Sequence, residues 1–279
     1  MSTTALREKF IQQMELKGYS KNTIQVYLDC LIQLSKFYKT SPDKLSLVEI
    51  RDYLQHCVTT KKLSQSYMNQ MVSALKILFV QVLKREWDPI AIPRMRREKK
   101  LPVVLSKEEV QQLFSVIRND KHLAIMTLIY SAGLRMGEAR TLKIEDIDSK
   151  RMQIRIKQAK GNKDRYAILS PVALEVLRRY YKKYKPCEWL FETKKSICIS
   201  EKTIQVVFKN SIKKAGIQKK VSVHVLRHSF ATHMMEQGVS LPLIQQLLGH
   251  SALRTTSVYL HVQQYAIDKV KSPLDFLSI

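Results

Sequence analysis

Apolar residues recur at helical spacing from the beginning of the chain. Phe10, Ile11 and Met14 lead to Gly18, and Ser20 stands where it would cap a second helix carrying Ile24, Leu28, Leu31 and Leu34. Ser46 and Glu49 make a capping-box pattern ahead of Ile50 and Leu54, and Ser64 opens a fourth helix through Met68, Met71, Leu75 and Leu78. Nothing in residues 1–87 alternates as a strand would, so this region predicts a helical domain. The periodicity stops at Asp88. From there to Val104 three prolines punctuate a run of Arg94, Arg96, Arg97, Lys99 and Lys100 opposed by Glu98 alone, which predicts a basic, extended linker over 88–104.

A second domain is predicted over residues 105–279. Ser106 and Glu109 repeat the capping box, and His122 to Ala132 reads as a nearly all-apolar buried helix that Gly133 ends. Strand alternation is confined to Met152–Ile156 and Tyr166–Leu169, with the turn residues Lys160-Gly161-Asn162-Lys163-Asp164 between them. Helices are predicted again at 171–184, 202–215, 223–237 and 241–248. The expected fold class is therefore mainly α with a small antiparallel sheet, in two domains.

Composition narrows the function. The 279 residues hold 48 Lys and Arg against 24 Asp and Glu, a net charge of +24. The excess is spread along the chain, with 18 basic and 9 acidic residues up to position 104 and 30 and 15 beyond it. Since 45% of residues are hydrophobic and Gly and Pro are few, this is a folded protein with a positive surface rather than a basic tail. Such a field suits a polyanion, and nucleic acid is the first candidate. The opening M-S-T-T-A-L-R-E-K-F has no apolar core of an export signal, and the most apolar run, 123–134, is too short to span a bilayer. A cytoplasmic, nucleoid-associated protein without a membrane partner is expected. Cys30, Cys57, Cys187 and Cys198 lack C-x-x-C spacing, which points to ordinary thiols.

Three clusters could carry chemistry. Gly133-Leu134-Arg135-Met136-Gly137-Glu138 ends the apolar helix and sets a guanidinium on the rigid corner that follows it, although a lone arginine after a helix is ordinarily a surface residue. If Ser222 caps the next cluster, His224 and Arg227 lie one turn apart at the positive end of a helix, an anion-binding arrangement. Leu247-Leu248-Gly249-His250 ends a helix, and nine residues after His250 comes Tyr259. Five of the seven histidines follow residue 220, but they show neither H-E-x-x-H nor cysteine partners, and Arg227 among them would repel a cation; no metal is expected.

Taken in order, G-L-R-x-x-E, the hairpin K-G-N-K-D-R, H-x-L-R-H-S-F-A-T, L-L-G-H-S and T-T-x-x-Y over residues 105–262 resemble the tyrosine recombinases, also called the phage integrase family. The helical N-terminal region is similar to that family's core-binding domain. Among its members the chain is most similar to the Xer recombinases and the integron-type integrases. Ser272-Pro273-Leu274-Asp275 resembles the integron group, whose extra helical insertion has no room here.

The resemblance implies a site-specific recombinase that cleaves and rejoins DNA through a 3′-phosphotyrosyl bond and a Holliday junction, with neither cofactor nor metal. It implies Tyr259 as nucleophile, Arg135 and Arg227 as clamps on the phosphate, and Lys160 as the acid that protonates the leaving 5′ oxygen, with Lys163 its rival. His224 and His250 would assist at the phosphate, and Glu138 would hold Arg135 or His224 in position. The partners implied are two double-stranded recombination sites, three further copies of the chain in a homo-tetramer, and an accessory protein or second recombinase in some systems. The tail 263–279 would dock on a neighbouring protomer. The linker's Arg94, Arg96, Arg97, Lys99 and Lys100 would follow the DNA backbone, and the segments 64–76 and 202–214 would read bases. Two other readings remain on the same fold: a catalytically silent DNA-binding regulator, and a topoisomerase-like enzyme that relaxes DNA.

Overall fold

The computed structural model describes residues 3–96, 102–159, 163–194 and 196–249. They group into two compact units, 1–99 and 100–279. The first unit is built from α1 (Thr3–Leu16), α2 (Lys21–Tyr38), α3 (Leu47–Thr59) and α4 (Gln65–Lys76). Ser20, Ser46 and Ser64 each accept a backbone N–H from the first turn of their helix, and Glu49 completes the box by accepting from the Ser46 N–H at 2.8 Å. These bonds satisfy donors that a helix start otherwise leaves open. The periodic residues Phe10, Met14, Leu28, Leu34, Ile50 and Leu75 all fall in the buried core, as their spacing requires. After α4 the chain continues through a wider π-helical turn, Ile77–Val82.

Residues 88–96 form no helix or strand, and this part of the chain is anchored on the first unit. Ile92 is buried against the helices. The Asn69 side chain on α4 brackets Met95, donating to its carbonyl and accepting from its N–H, both at 3.0 Å. Arg94 donates to Ser73 Oγ at 2.9 Å. One buried asparagine thus satisfies the backbone of an irregular segment that could not satisfy itself.

The second unit contains α5 (Lys107–Ser115), α6 (Asp120–Ser131), α7 (Met136–Arg140), a sheet of β1 (Ile147–Asp148), β2 (Gln153–Ala159) and β3 (Lys163–Ile168), then α8 (Pro171–Tyr184), the short pair β4 (Glu192–Lys194) and β5 (Ile197–Cys198), α9 (Glu201–Lys214), α10 (His224–Glu236) and α11 (Leu241–Leu248). The sheet is antiparallel in the order β1-β2-β3, with Ile154 opposite Ala167 and Ile156 opposite Arg165. Helix α6 is central: Ala124, Ile125, Met126, Leu128 and Ile129 are almost wholly buried, which explains its lack of a polar face. The start of the unit is tied to α10 by Leu105 N–H donating to Ser229 Oγ at 2.9 Å.

Three local expectations change. The strands β2 and β3 run further toward their turn than the alternation showed, because Lys157, Lys163 and Asp164 are polar; the ion pair Arg155–Asp164 at 3.0 Å crosses them there. The β4–β5 pair was not foreseen, its strands being too short to show a period. Ser222 does not cap α10. Val223 takes the N-cap position with helical backbone angles and no side-chain cap, and the carbonyls of Ser222 and Val223 accept from Val225 and Leu226 in a tight first turn.

Candidate active site

Gly133 positions the first arginine. It follows the last turn of α6 with φ +59°, the left-handed conformation that lets the chain turn sharply. A Cβ there would lie 2.5 Å from Cδ1 of Phe230 on α10, so glycine is also what lets the two helices approach. Two residues on, Arg135 forms the N-cap of α7, and its N–H donates to Glu138 Oε2 at 2.8 Å while its Nη1 donates to Oε1 at 2.7 Å.

Glu138 gathers the cluster. Besides Arg135 it accepts a two-pronged pair from Arg165 on β3, Nη1 to Oε1 at 2.7 Å and Nη2 to Oε2 at 2.8 Å. The Nη1 of Arg227 stands 3.8 Å from Oε2. Three guanidinium groups therefore share one carboxylate, leaving a net excess of positive charge in a largely buried place. Burial pushes the Glu138 carboxyl up, but the hydrogen bonds and charges of Arg165 and Arg135 outweigh it and bring the pKa down to about 2.

The arginines also share the end of α11. The last carbonyls of a helix have no partner within it. Here Leu247 O accepts from Arg165 Nε at 3.2 Å, Leu248 O from Arg227 Nη2 at 2.7 Å, and Gly249 O from Arg135 Nη2 at 3.3 Å. Cations at this end also complement the helix dipole. Arg227, itself buried, sends Nη1 to Gly133 O at 2.6 Å and so joins the ends of α6 and α11.

His224 and Arg227 come from the same first turn of α10, as their spacing predicts. His224 is exposed on the wall of a cleft of about 760 Å³ that Arg135, Glu138, Lys143, Lys157 and Glu201 also line. Burial and the charges of Arg227 and Arg135 hold its imidazole below the ordinary range, with Glu201 pulling the other way. His228, half-buried behind it, is also held low, first by burial.

Arg135, Glu138, His224 and Arg227 are thus brought together. Lys160, His250 and Tyr259 lie outside the described residues, as do Arg97, Lys99 and Lys100; the description reaches Ala159 at the end of β2 and Gly249 at the end of α11. Arg94 and Arg96 are described and exposed on the first unit. Among the described residues no group of three metal-ligating side chains occurs.

Arg165 is the residue that sequence reasoning passed over. It closes the K-G-N-K-D-R motif, and its signal was present in the alternation: Arg165 is two residues before the buried Ala167 and opposite the buried Ile156, a charge on the inward face of a strand.

Comparison with known proteins agrees with this architecture. The Phage integrase family profile matches residues 103–265, and the phage integrase N-terminal SAM-like domain matches residues 6–89. Tyrosine recombinase XerA of Pyrococcus horikoshii is 36% identical over 275 residues, covering 95% of this chain and 93% of the relative. In fold, the chain is similar to the XerH site-specific recombinase bound to its difH substrate before cleavage, with a TM-score of 0.73 at 23% identity over 98% of this chain and 85% of that one. A lambda integrase fragment bound as a dimer to a core site gives a TM-score of 0.75 at 18% identity, covering 92% of this chain and 94% of that one. On the family match over more than half its length, and a relative of this identity along nearly all of it, the chain belongs to the phage integrase family and is a tyrosine recombinase.

Proposed function

We propose that the chain is a site-specific DNA recombinase that breaks and rejoins strands through Tyr259. The observation that carries this reading is the convergence of Arg135 and Arg227 beside a single carboxylate, with more positive than negative charge in the cluster. The phenolic oxygen of Tyr259 attacks a phosphodiester, the P–O bond to the 5′ oxygen breaks, and the protein becomes joined to the 3′ phosphate. Negative charge grows on the non-bridging oxygens during attack, and the planar forks of Arg135 and Arg227 suit its stabilisation. His224, held below the ordinary imidazole range, is neutral at pH 7 and is able to take the phenolic proton. Lys160 protonates the departing 5′ oxygen, and His250 donates to the same phosphate. Because the phosphotyrosyl bond conserves the energy of the broken linkage, a second 5′ hydroxyl reverses the step on a new strand.

The partner is double-stranded DNA carrying two recombination sites, bound by four copies of the chain, with one strand pair exchanged to a Holliday junction before the other. Accessory proteins and a second recombinase belong to this reading as partners for particular sites. The net charge of +24 supports DNA binding at the nucleoid. No helix of the described residues is long and apolar enough to cross a membrane.

The test is to express the wild type and Tyr259→Phe, denature rapidly, and sequence the DNA that remains bound to protein. The wild type is expected to retain 3′ ends at recurring sequences and the variant none. Adducts on Tyr259→Phe, or their absence from the wild type, would overturn the assignment.

A further inference from the structure

We propose that Arg165 is a positioning residue for strand cleavage, a strut that fixes where Arg135 presents its guanidinium to the phosphate. The inference rests on the function proposed above and adds a residue to it.

The geometry divides the labour between the two arginines. The Arg165 side chain is 9% exposed and Glu138 10%, whereas Arg135 keeps 25% of its side chain in solvent. Arg165 is therefore behind the cluster and Arg135 at its open side. Arg135 alone would hold the carboxylate by its backbone N–H and by a side chain that is partly open to solvent. Arg165 adds a second, buried hold, since its parallel bonds fix the plane of the carboxylate and keep Oε1 aimed at Arg135 Nη1 and Oε2 at the Arg135 N–H.

The same side chain reaches a second element. Its Nε donates to Leu247 O near the end of α11, and its stem passes so close to Gly249 that a Cβ there would lie 2.6 Å from Arg165 Cδ. Gly249 has φ +63° and precedes His250. One guanidinium thus sets the spacing between α7, which follows Arg135, and the end of α11, which leads to His250. Lysine would carry the charge but not the three-directional grip. Without Arg165, the buried carboxylate keeps Arg135 at hydrogen-bond distance and Arg227 at 3.8 Å, and Arg135, the more exposed of the two, is drawn toward it, away from an incoming phosphate.

The test uses the full chain and a nicked duplex built on the sequence recovered with the wild type, made with either a normal phosphodiester or a neutral methylphosphonate at the cleavage position. Arg165→Lys and Arg165→Gln are each measured for DNA affinity and for single-turnover adduct formation. Affinity is expected to stay within about threefold of the wild type, and adduct formation on the phosphodiester to fall roughly a hundredfold, as for other losses of transition-state alignment. On the methylphosphonate, which carries no charge for Arg135 to neutralise, the loss is expected to shrink to less than about tenfold.

Combining Arg165→Gln with Glu138→Gln should slow cleavage no further than the slower single variant. A variant that simply folds less completely loses the same factor on both substrates. Equal losses, or losses that multiply in the double variant, would overturn the proposal. A wild type that forms no adduct on its recovered site would instead overturn the function itself.

Discussion

Arg227 donates to the carbonyl of Gly133 at 2.6 Å, so an arginine in the first turn of α10 is fastened to the residue that ends α6. The bond makes a backbone turn part of the site. Substituting Gly133 by Ala would place a Cβ at 2.5 Å from Phe230 and force a left-handed φ on a residue that resists it. The expected outcome is a loss of about 2–4 kcal/mol in unfolding free energy, combining strain and overpacking, read by urea denaturation. Unchanged stability would contradict the close approach of the two helices.

Arg227→Lys should retain a buried cation but leave at least one of the carbonyls of Gly133 and Leu248 without its donor. Adduct formation on the recovered site is expected to fall by two orders of magnitude or so, with DNA affinity changed only a few-fold. Gel-shift titration and single-turnover cleavage measure the two effects separately.

Glu138 connects stability to acidity. Its folded pKa of about 2 lies below the ordinary carboxylate value, so its contribution is complete above about pH 4.5 and is lost as pH falls through the folded value. The shift corresponds to about 3 kcal/mol at neutral pH. Glu138→Gln should lower stability at pH 7 and flatten its decline between about pH 4.5 and pH 2, as followed by denaturant midpoints across that range.

The imidazole of His224 is held below its ordinary range, so cleavage that needs the neutral ring should persist as pH falls past 6.5 before it declines. Glu201 works against the two arginines, raising the value. Glu201→Gln is expected to move the acid limb of the cleavage rate to lower pH. A limb that moves upward, or does not move, would deny His224 that role.

Much of this arrangement was legible along the chain because it depends on local chemistry. Serine caps, the apolar face of α2 and the unbroken apolar run of α6 are each decided within one or two turns, and so is the spacing that puts His224 and Arg227 on one face. What escaped depends on partners distant in sequence. Arg165 meets Glu138 across 27 positions and Leu247 across 82, and only pairing of β2 with β3 turns it inward. The anchoring of residues 88–96 likewise turns on Asn69, 26 positions away from Met95, which no local pattern discloses.

The end of α11 acts as a protractor. Its last carbonyls, at Leu247 and Leu248, lie about 100° apart around the helix axis, as the α-helical repeat requires, Gly249 with φ +63° turns the third out of that series, and each carbonyl belongs to a different arginine from a different part of the fold. Angular phase, more than length, is therefore what α11 must preserve. Adding or removing one residue within it would turn every carbonyl by a third of a circle or so and assign each arginine the wrong oxygen.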